Sequence, residues 1–579
     1  MKQKTDVKPS KFHIIYFILL ALLPLAIFWI KDMTPIFFNN DDVFLKQIAS
    51  GELTGTPEAH LLHIGYLTGL IISTLYQLFP ALPWYGICLF SCMYVAVLLS
   101  IFPLFQYLKK AWQKLILTAV SILVMAGFLF SHMLQIQYTT VTATVCACSL
   151  VYFTLAKEEN HVKQYLKNLI PCFILFAISF ELRDKASIMM LPFFIFIGVS
   201  RFIKNRNLLK PLLSCAGILL SIIILLWGIE SLAYAAPVWK DFTAYNTNRE
   251  NIVDYSGYPS YENNAELYNS LGISYQSYVS ASDHYQLLLD DNINLSFMEV
   301  VADACPERNV ALSTLLKEFL ERHITSYADR PLNLIVYVLY AMVFVMALLS
   351  RNYQSLWDIL AVFAGRMTIW IYLLFMGRSV PRVTQGIYIA ELFLLTAILF
   401  YYKMWQDKKE KRKKKLAISF ALCILCISFV TFKWGLPYTE RINQYNKSQL
   451  AYAVTYDEIR DYFYDNSDSF YMLDTNSFSY FTEALFTKTP DTAANFVLLG
   501  SWPANSPWTD KIAGEQNFTS YETAAFEDNV YFVFMNTEAT GYDYLANYYT
   551  EKYPNSIFIV KDTVKTSTGV EFLILKCNG

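Results

Sequence analysis

The chain has 579 residues, of which 55% are hydrophobic, 16% aromatic and only 16% charged, and its formal net charge is −2. Soluble proteins carry about 25% charged residues, so this composition excludes a wholly soluble protein and predicts one that lies mostly in a membrane. The near-zero net charge gives no support for nucleic-acid binding.

Apolar runs of about 20 residues predict roughly eleven transmembrane helices. Their approximate limits are 13–30, 84–106, 115–132, 138–156, 168–182, 186–203, 211–236, 331–349, 355–376, 386–403 and 416–433. Lysine and arginine cluster in alternate short connections, at 2–11, 109–114, 157–167, 201–210, 351 and 408–415. The positive-inside rule therefore predicts a multi-pass cell-membrane protein with a cytoplasmic N-terminus.

The stretch 60–79 is also apolar enough to cross, but a span there would invert every later connection. We expect it to form a juxtamembrane helix at the outer face instead. The segments 31–83, 237–330 and 434–579 are then outside the cell. Cys305 and Cys577 are the two cysteines expected there, and they could form a disulfide.

The predicted fold is an all-α polytopic membrane domain over 1–433, followed by an extracytoplasmic α/β domain over 434–579. In the second domain, the predicted strands are 470–474, 495–499, 530–535, 556–560 and 570–576, and the predicted helices are 448–464, 476–486 and 541–552. The last two strands are expected to form a hairpin. The outer loop 237–330 is expected to be polar and turn-rich from residue 246 and to end in a helix at 310–323.

Two adjacent carboxylates, Asp41 and Asp42, follow the first predicted span directly. They precede a helix that is expected to begin near Val43, so one of Asn40, Asp41 and Asp42 could serve only as its N-cap. Helix capping does not require two carboxylates at a membrane surface. The pair is therefore the first candidate for catalysis.

Four basic residues lie in short connections on the predicted outer side, where lysine and arginine are normally scarce. They are Arg183 and Lys185, between the fifth and sixth spans, and Arg378 and Arg382, between the ninth and tenth. Arginine offers a fork of donors that matches phosphate, which favours binding of an anionic head group. The alternative is neutralisation of Asp41, Asp42, Asp184 or Glu391.

Two further pairs of residues are candidates, one for ligand binding and one for an ion pair within the membrane. His60 and His63 are expected on one face of the juxtamembrane helix, where they could contact phosphate, pack at the interface or, with the aspartates, hold a divalent metal. No metal or other cofactor is required by the sequence. Arg366 and Glu391 lie inside neighbouring spans and could form an intramembrane ion pair.

The order of these features resembles the C-type glycosyltransferase superfamily, which includes protein O-mannosyltransferases and the aminoarabinose transferases of lipid A. The matching parts are a first span, an acidic pair at 41–42, a juxtamembrane helix at 57–79, an outer loop at 132–140, a charged turn at 183–185 and a soluble C-terminal domain. Two positions depart from the family pattern. A double proline is missing near Pro57, and the second acidic residue is Asp42 where the family commonly has Glu.

The resemblance implies a membrane transferase that moves a sugar from a polyprenyl-phosphate-linked donor to a cell-envelope glycan, lipid or protein. Asp41 or Asp42 would be the base, the four basic residues would hold the donor phosphate with help from His60 or His63, and aromatic residues of 237–330 would stack on sugars. The alternatives are a lipid-linked polysaccharide polymerase or ligase, a transporter or flippase of lipid-linked glycans, and a non-catalytic scaffold or sensor.

Overall fold

The computed structural model describes residues 11–306, 310–324, 328–406, 410–478, 482–490, 494–537 and 541–579. The basic residues at 2–8 and 408–409 lie outside these ranges. The first twelve helices are α1 Lys11–Ile30, α2 Asn40–Ser50, α3 Tyr66–Leu78, α4 Trp84–Ile101, α5 Ala111–Val124, α6 Phe130–Leu134, α7 Tyr138–Leu155, α8 Val162–Asn168, α9 Ile170–Leu182, α10 Asp184–Met189, α11 Leu191–Lys204 and α12 Leu209–Ala233.

The second half of the chain contains the outer loop helices, the last membrane helices and the helices of the tail. They are α13 Pro237–Glu250, α14 Ala265–Ser270, α15 Tyr275–Ser282, α16 Leu295–Ala304, α17 Leu312–Ile324, α18 Leu332–Ser350, α19 Gln354–Met376, α20 Pro381–Tyr401, α21 Glu410–Val430, α22 Leu436–Asp465, α23 Thr475–Phe478, α24 Pro507–Glu515, α25 Tyr521–Ala524 and α26 Asp543–Lys552. The strands are β1 Ile36–Phe37, β2 Gln135–Ile136, β3 Phe470–Leu473, β4 Phe496–Leu498, β5 Val530–Met535, β6 Ile557–Lys565 and β7 Glu571–Asn578.

The described residues contain nine helical runs that are long and apolar enough to cross a membrane. The bent pair α8 and α9, which meet at 55°, provides a tenth, and α1 has a shorter apolar run over Ile14–Ile30. Each of the eleven predicted spans corresponds to one of these elements. The fold-class prediction of a polytopic helical membrane protein is confirmed.

The apolar stretch 60–79 forms a short helix, α3, rather than a span. Its 13 residues measure about 20 Å, less than the roughly 30 Å of a bilayer core. The helix begins only at Tyr66, so His60 and His63 precede it. The expectation that these histidines share a helical face is wrong, because residues 57–65 form an irregular segment.

One long helical run connects the membrane region to the tail. It extends over 54 residues, from Arg412 to Asp465, and includes α21, a wide helical turn at Thr431–Gly435 and α22. The predicted last span and the predicted helix at 448–464 are therefore parts of one element. The predicted division at residue 433 falls inside it.

The tail contains a five-stranded mixed sheet with the strand order β4-β3-β5-β7-β6. β3 pairs in parallel with β4 and β5, whereas β7 pairs antiparallel with both β5 and β6. All five predicted strands are present, and the last two form the expected hairpin. The predicted helix at 476–486 is wrong in extent, because α23 ends at Phe478 and the described residues 482–490 are not helical.

The tail is joined directly to the first outer loop. Leu485 donates its backbone N–H to the Pro35 carbonyl, and Ile36 forms an isolated bridge with Ala484. β1 also pairs in parallel with β2, which precedes α7. These contacts hold the start of α2, and with it the acidic pair, between the membrane helices and the tail.

Candidate functional site

A cavity of about 500 Å³ lies where the segments 31–83 and 237–330, the membrane helices and the tail meet. Its lining includes six of the residues selected from the sequence: Asp41, His63, Arg183, Lys185, Arg378 and Arg382. Residues more than three hundred positions apart thus converge on one space. Asp42 and His60 lie elsewhere.

Asp41 is the acidic residue that faces the cavity. It lies in the first turn of α2, whose N-cap position is taken by Asn39, so the acidic pair is not the cap. The Asn39 side-chain amide donates to Asp41 Oδ2 over 2.7 Å. Burial raises the pKa of Asp41 above its ordinary value, and the nearby Arg382 and Arg183 partly oppose that rise.

Asp42 is completely buried and does not line the cavity. The Tyr85 hydroxyl donates to Asp42 Oδ1 over 2.9 Å. Burial raises the pKa of Asp42 well above its ordinary range, more than the Tyr85 hydrogen bond lowers it. The two carboxyl groups therefore have different surroundings, and only Asp41 can reach a ligand in the cavity.

Two of the predicted basic residues are already neutralised. Lys185 forms an ion pair with Glu250 over 3.2 Å, and Arg378 lies 3.3 Å from both Glu250 and Asp254. Burial opposes ionisation of Glu250, but Lys185 and Arg378 outweigh it and hold its pKa below the ordinary value. The sequence-based alternative named the wrong carboxylates as partners, because these two come from the outer loop 237–330.

The cavity also contains three other guanidinium groups, those of Arg183, Arg249 and Arg382. Arg183 donates to the His63 carbonyl over 3.1 Å and lies over the Tyr138 ring, whereas the buried Arg249 donates through Nε to Asn246 Oδ1 over 2.9 Å. Within the parts of the chain that the structure describes, neither they nor Arg382 form an ion pair with a carboxylate. Their charge is available to an anionic ligand.

The two histidines have separate environments. His63 lies 4.9 Å from the Trp502 ring and 6.0 Å from the Tyr138 ring, and burial lowers its pKa far below the ordinary value, with Arg183 and Arg249 adding to the effect. It is therefore neutral and can offer a ring N–H but no charge. His60 instead stacks on Trp239 at 4.3 Å and contacts the Glu58 carboxylate at 2.7 Å. That His60 or His63 helps to hold a donor phosphate stays a prediction; His63 lines the cavity and His60 does not.

The outer loop and the tail form the remaining wall. Tyr255, Tyr285, Asn476 and Trp502 line the cavity, and the buried Trp502 Nε1 has no hydrogen-bond partner among the described residues. Tyr285 has a left-handed backbone with φ 56°, and its carbonyl lies so close to Gly500 that an added Cβ there would be 1.6 Å away. This wall combines aromatic faces with polar groups.

The cavity also reaches the side of the helix bundle. Tyr372 and Met376, near the end of α19, line the cavity and remain 56% and 40% exposed. Met189 of α10 lines the same part. A ligand with a lipid tail could thus extend from the cavity into the surrounding bilayer.

Sequence reasoning missed Arg249, Tyr138 and Trp502. Arg249 was assigned to a polar, turn-rich segment, but α13 begins at Pro237 and continues through Glu250 into a wide helical turn at Asn251–Ser256. Pro237 at the first helical position was the available signal, since proline favours that position. No local pattern indicates Trp502, whose role depends on how the tail packs.

The remaining predicted residues lie away from this cavity. Arg366 and Glu391 form a buried ion pair at 3.2 Å, to which the Tyr340 hydroxyl adds a hydrogen bond of 2.6 Å to Glu391. Cys305 and Cys577 are both free thiols, so the possible disulfide is not formed. In the described ranges, no three His, Cys, Asp or Glu side chains are grouped as metal ligands.

No protein-family model and no curated protein matches this sequence. A search of solved structures finds a similarity to ArnT from Cupriavidus metallidurans bound to undecaprenyl phosphate. It covers 98% of this chain and 98% of that chain, with 10% sequence identity and a TM-score of 0.47.

Proposed function

We propose that this protein is a membrane glycosyltransferase that moves a sugar from a polyprenyl-phosphate-linked donor to an acceptor hydroxyl outside the cell. The observation that carries the proposal is the combination found in one cavity: an accessible carboxylate, three guanidinium groups that have no carboxylate partner among the described residues, and an opening beside α19. A phosphate-linked lipid fits all three features. Its head group would face Arg183, Arg249 and Arg382, and its chain would lie in the bilayer.

The proposed chemistry is a direct displacement. The acceptor oxygen attacks the anomeric carbon of the sugar while the bond from that carbon to the phosphate oxygen breaks, and Asp41 takes the proton of the hydroxyl. The electron pair of the broken bond leaves with the lipid phosphate. Fixed positive charge stabilises this group as its charge develops, so no proton donor is needed for it.

The assignment of the base to Asp41 rests on access. A general base must come within hydrogen-bonding distance of the proton that it removes. Asp41 lines the cavity, whereas Asp42 is enclosed and bonded to Tyr85. A raised pKa also suits Asp41, because it moves the carboxylate towards the pH at which a base is most effective.

The test is transfer of labelled sugar from a polyprenyl-phosphate donor by membranes that contain the wild-type protein or a variant. Asp41→Asn should lower the transfer rate by about 100- to 10,000-fold, the usual contribution of a general base. Asp241→Asn, at an exposed position of α13, is the matched control and should keep the full rate. Full activity of Asp41→Asn would reject this mechanism, and a wild-type protein inactive with every such donor would reject the proposed function.

A further inference from the structure

A second cavity, of about 750 Å³, lies within the membrane region along the second half of α20. It lies between α4, α5, α18, α20 and α21, and most of its lining residues are aliphatic or aromatic. Cavities of this size commonly hold small molecules. None of the predicted catalytic or phosphate-binding residues lines it, so it needs a separate explanation.

The cavity is long and has chemically different ends. Along α5 its lining extends from Trp112 to Val124, about 18 Å, which is more than half of the thickness of a bilayer core. One end is formed by Leu339 and Ile335 of α18 and is apolar. The other end lies at Lys109, Lys110 and Lys413, on the side that the positive-inside rule predicts to be cytoplasmic.

Polar groups are concentrated at the basic end. Gln113 and Gln406 line the cavity beside the lysines. Trp405 lines it too, and its buried Nε1 has no hydrogen-bond partner in the described part of the chain. A buried indole N–H without a partner is costly, and a ligand acceptor at this end would satisfy it.

We propose that this cavity binds an anionic glycerophospholipid of the cytoplasmic leaflet. An acyl chain would occupy the apolar length, and the phosphate would lie against Lys109, Lys110 and Lys413. Charge complementarity selects this occupant, because the cytoplasmic leaflet is rich in anionic lipids and basic pockets between membrane helices bind their head groups. The proposal does not depend on the glycosyltransferase reaction.

The site can be tested by native mass spectrometry of the purified full-length protein. Phosphatidylglycerol and phosphatidylcholine with identical acyl chains are added in equal amounts, and the retained lipid is counted. Wild-type protein should prefer phosphatidylglycerol. Lys109→Gln/Lys413→Gln should reduce that preference by about 20- to 30-fold, since each basic residue near a membrane surface contributes about fivefold.

Two matched controls test whether any change in lipid retention comes from this cavity, one for the loss of positive charge and one for the added tryptophan. Lys163→Gln/Lys167→Gln removes the same charge from α8, on the side that is also predicted to be cytoplasmic, and should leave the preference unchanged. Ser121→Trp fills the middle of the cavity and should abolish retention of both lipids, whereas Leu115→Trp, at an exposed position of the same helix, should not.

Three results would overturn the proposal. The first is that the wild-type protein retains the two lipids equally. The second is that neither Ser121→Trp nor the Lys109/Lys413 double variant changes the retention of lipid. The third is that a polyprenyl phosphate, and not phosphatidylglycerol, is the lipid that Ser121→Trp excludes.

Discussion

Replacement of Lys46 by methionine should destabilise the protein through a buried charge cluster that ties α2 to the tail. Lys46 Nζ lies 2.8 Å from Glu52 and 2.9 Å from Glu483, and Arg460 Nη1 lies 3.4 and 3.1 Å from the same two carboxylates. Burial opposes the charge on Lys46, but Glu483 and Glu52 outweigh it and raise the pKa of Lys46 above its ordinary value. The enclosed part of the cluster thus sets two positive against two negative charges, and Arg460 Nη2 also pairs with the half-exposed Asp457 over 2.8 Å.

Lys46→Met leaves two enclosed carboxylates with Arg460 alone. Loss of one partner from a buried ion pair costs about 3–5 kcal/mol, because the remaining charge stays desolvated. The free energy of unfolding, measured by reversible denaturation in mixed micelles, should fall by this amount. Since Lys46 lies on α2 five residues after Asp41, the transfer rate should fall as well.

The double variant Lys46→Met/Glu52→Gln supplies the internal control. It restores the balance among the enclosed groups, because Arg460 and Glu483 are then the charged members that remain there, so it should be more stable than Lys46→Met alone by about 1–3 kcal/mol. A loss below about 1 kcal/mol in Lys46→Met would refute the reasoning about buried charge. A double variant whose loss equals the sum of the two single losses would refute the coupling.

Three further predictions concern the cavity and its wall. Arg249→Gln should raise the KM for the donor about tenfold or more, since a hydrogen bond to a charged group contributes about 1.5–3 kcal/mol. Arg378→Gln should have a smaller effect, because Arg378 is already paired with Glu250 and Asp254. Equal effects of the two substitutions on KM would contradict the assignment of Arg249 to phosphate binding. Activity requires ionised Asp41, so the transfer rate should fall as the pH drops through the raised pKa of Asp41. Arg382→Gln removes a charge that lowers this pKa, so the variant should lose activity at a higher pH than the wild-type protein. Loss of activity by the variant at a lower pH would contradict the prediction. Gly500→Ala should abolish transfer and increase proteolysis of the tail, because the new Cβ would lie 1.6 Å from the Tyr285 carbonyl oxygen. Gly514→Ala is the control and should behave as wild type, because the space around Gly514 is open.

The parts of the site that the sequence could predict are those fixed by membrane physics. The lysine and arginine distribution placed Asp41, Arg183, Arg378 and Arg382 on one side of the membrane, and the structure brings them to one cavity. Hydropathy also located each membrane helix, since a span must be apolar over about 20 residues. Short, strongly apolar strands made the tail sheet predictable as well.

The parts that the sequence could not predict depend on tertiary packing of polar segments. Glu250 and Asp254 neutralise Lys185 and Arg378 from an outer loop whose path no local pattern reveals. Trp502 reaches the cavity because Gly500 allows the tail to approach Tyr285 closely. The spacing of His60 and His63 suggested one helical face, but the segment around Pro57 is irregular and directs the two rings to different partners.

The most direct test of the central claim is the steady-state kinetics of purified Asp41→Asn with a polyprenyl-phosphate sugar donor. The account predicts that kcat falls by about 100- to 10,000-fold while the KM for the donor changes little, because the arginines that would hold the phosphate remain in place. Asp42→Asn, measured in parallel, should retain most of its kcat. An unchanged kcat in Asp41→Asn, or a loss expressed only in KM, would contradict the role proposed for Asp41.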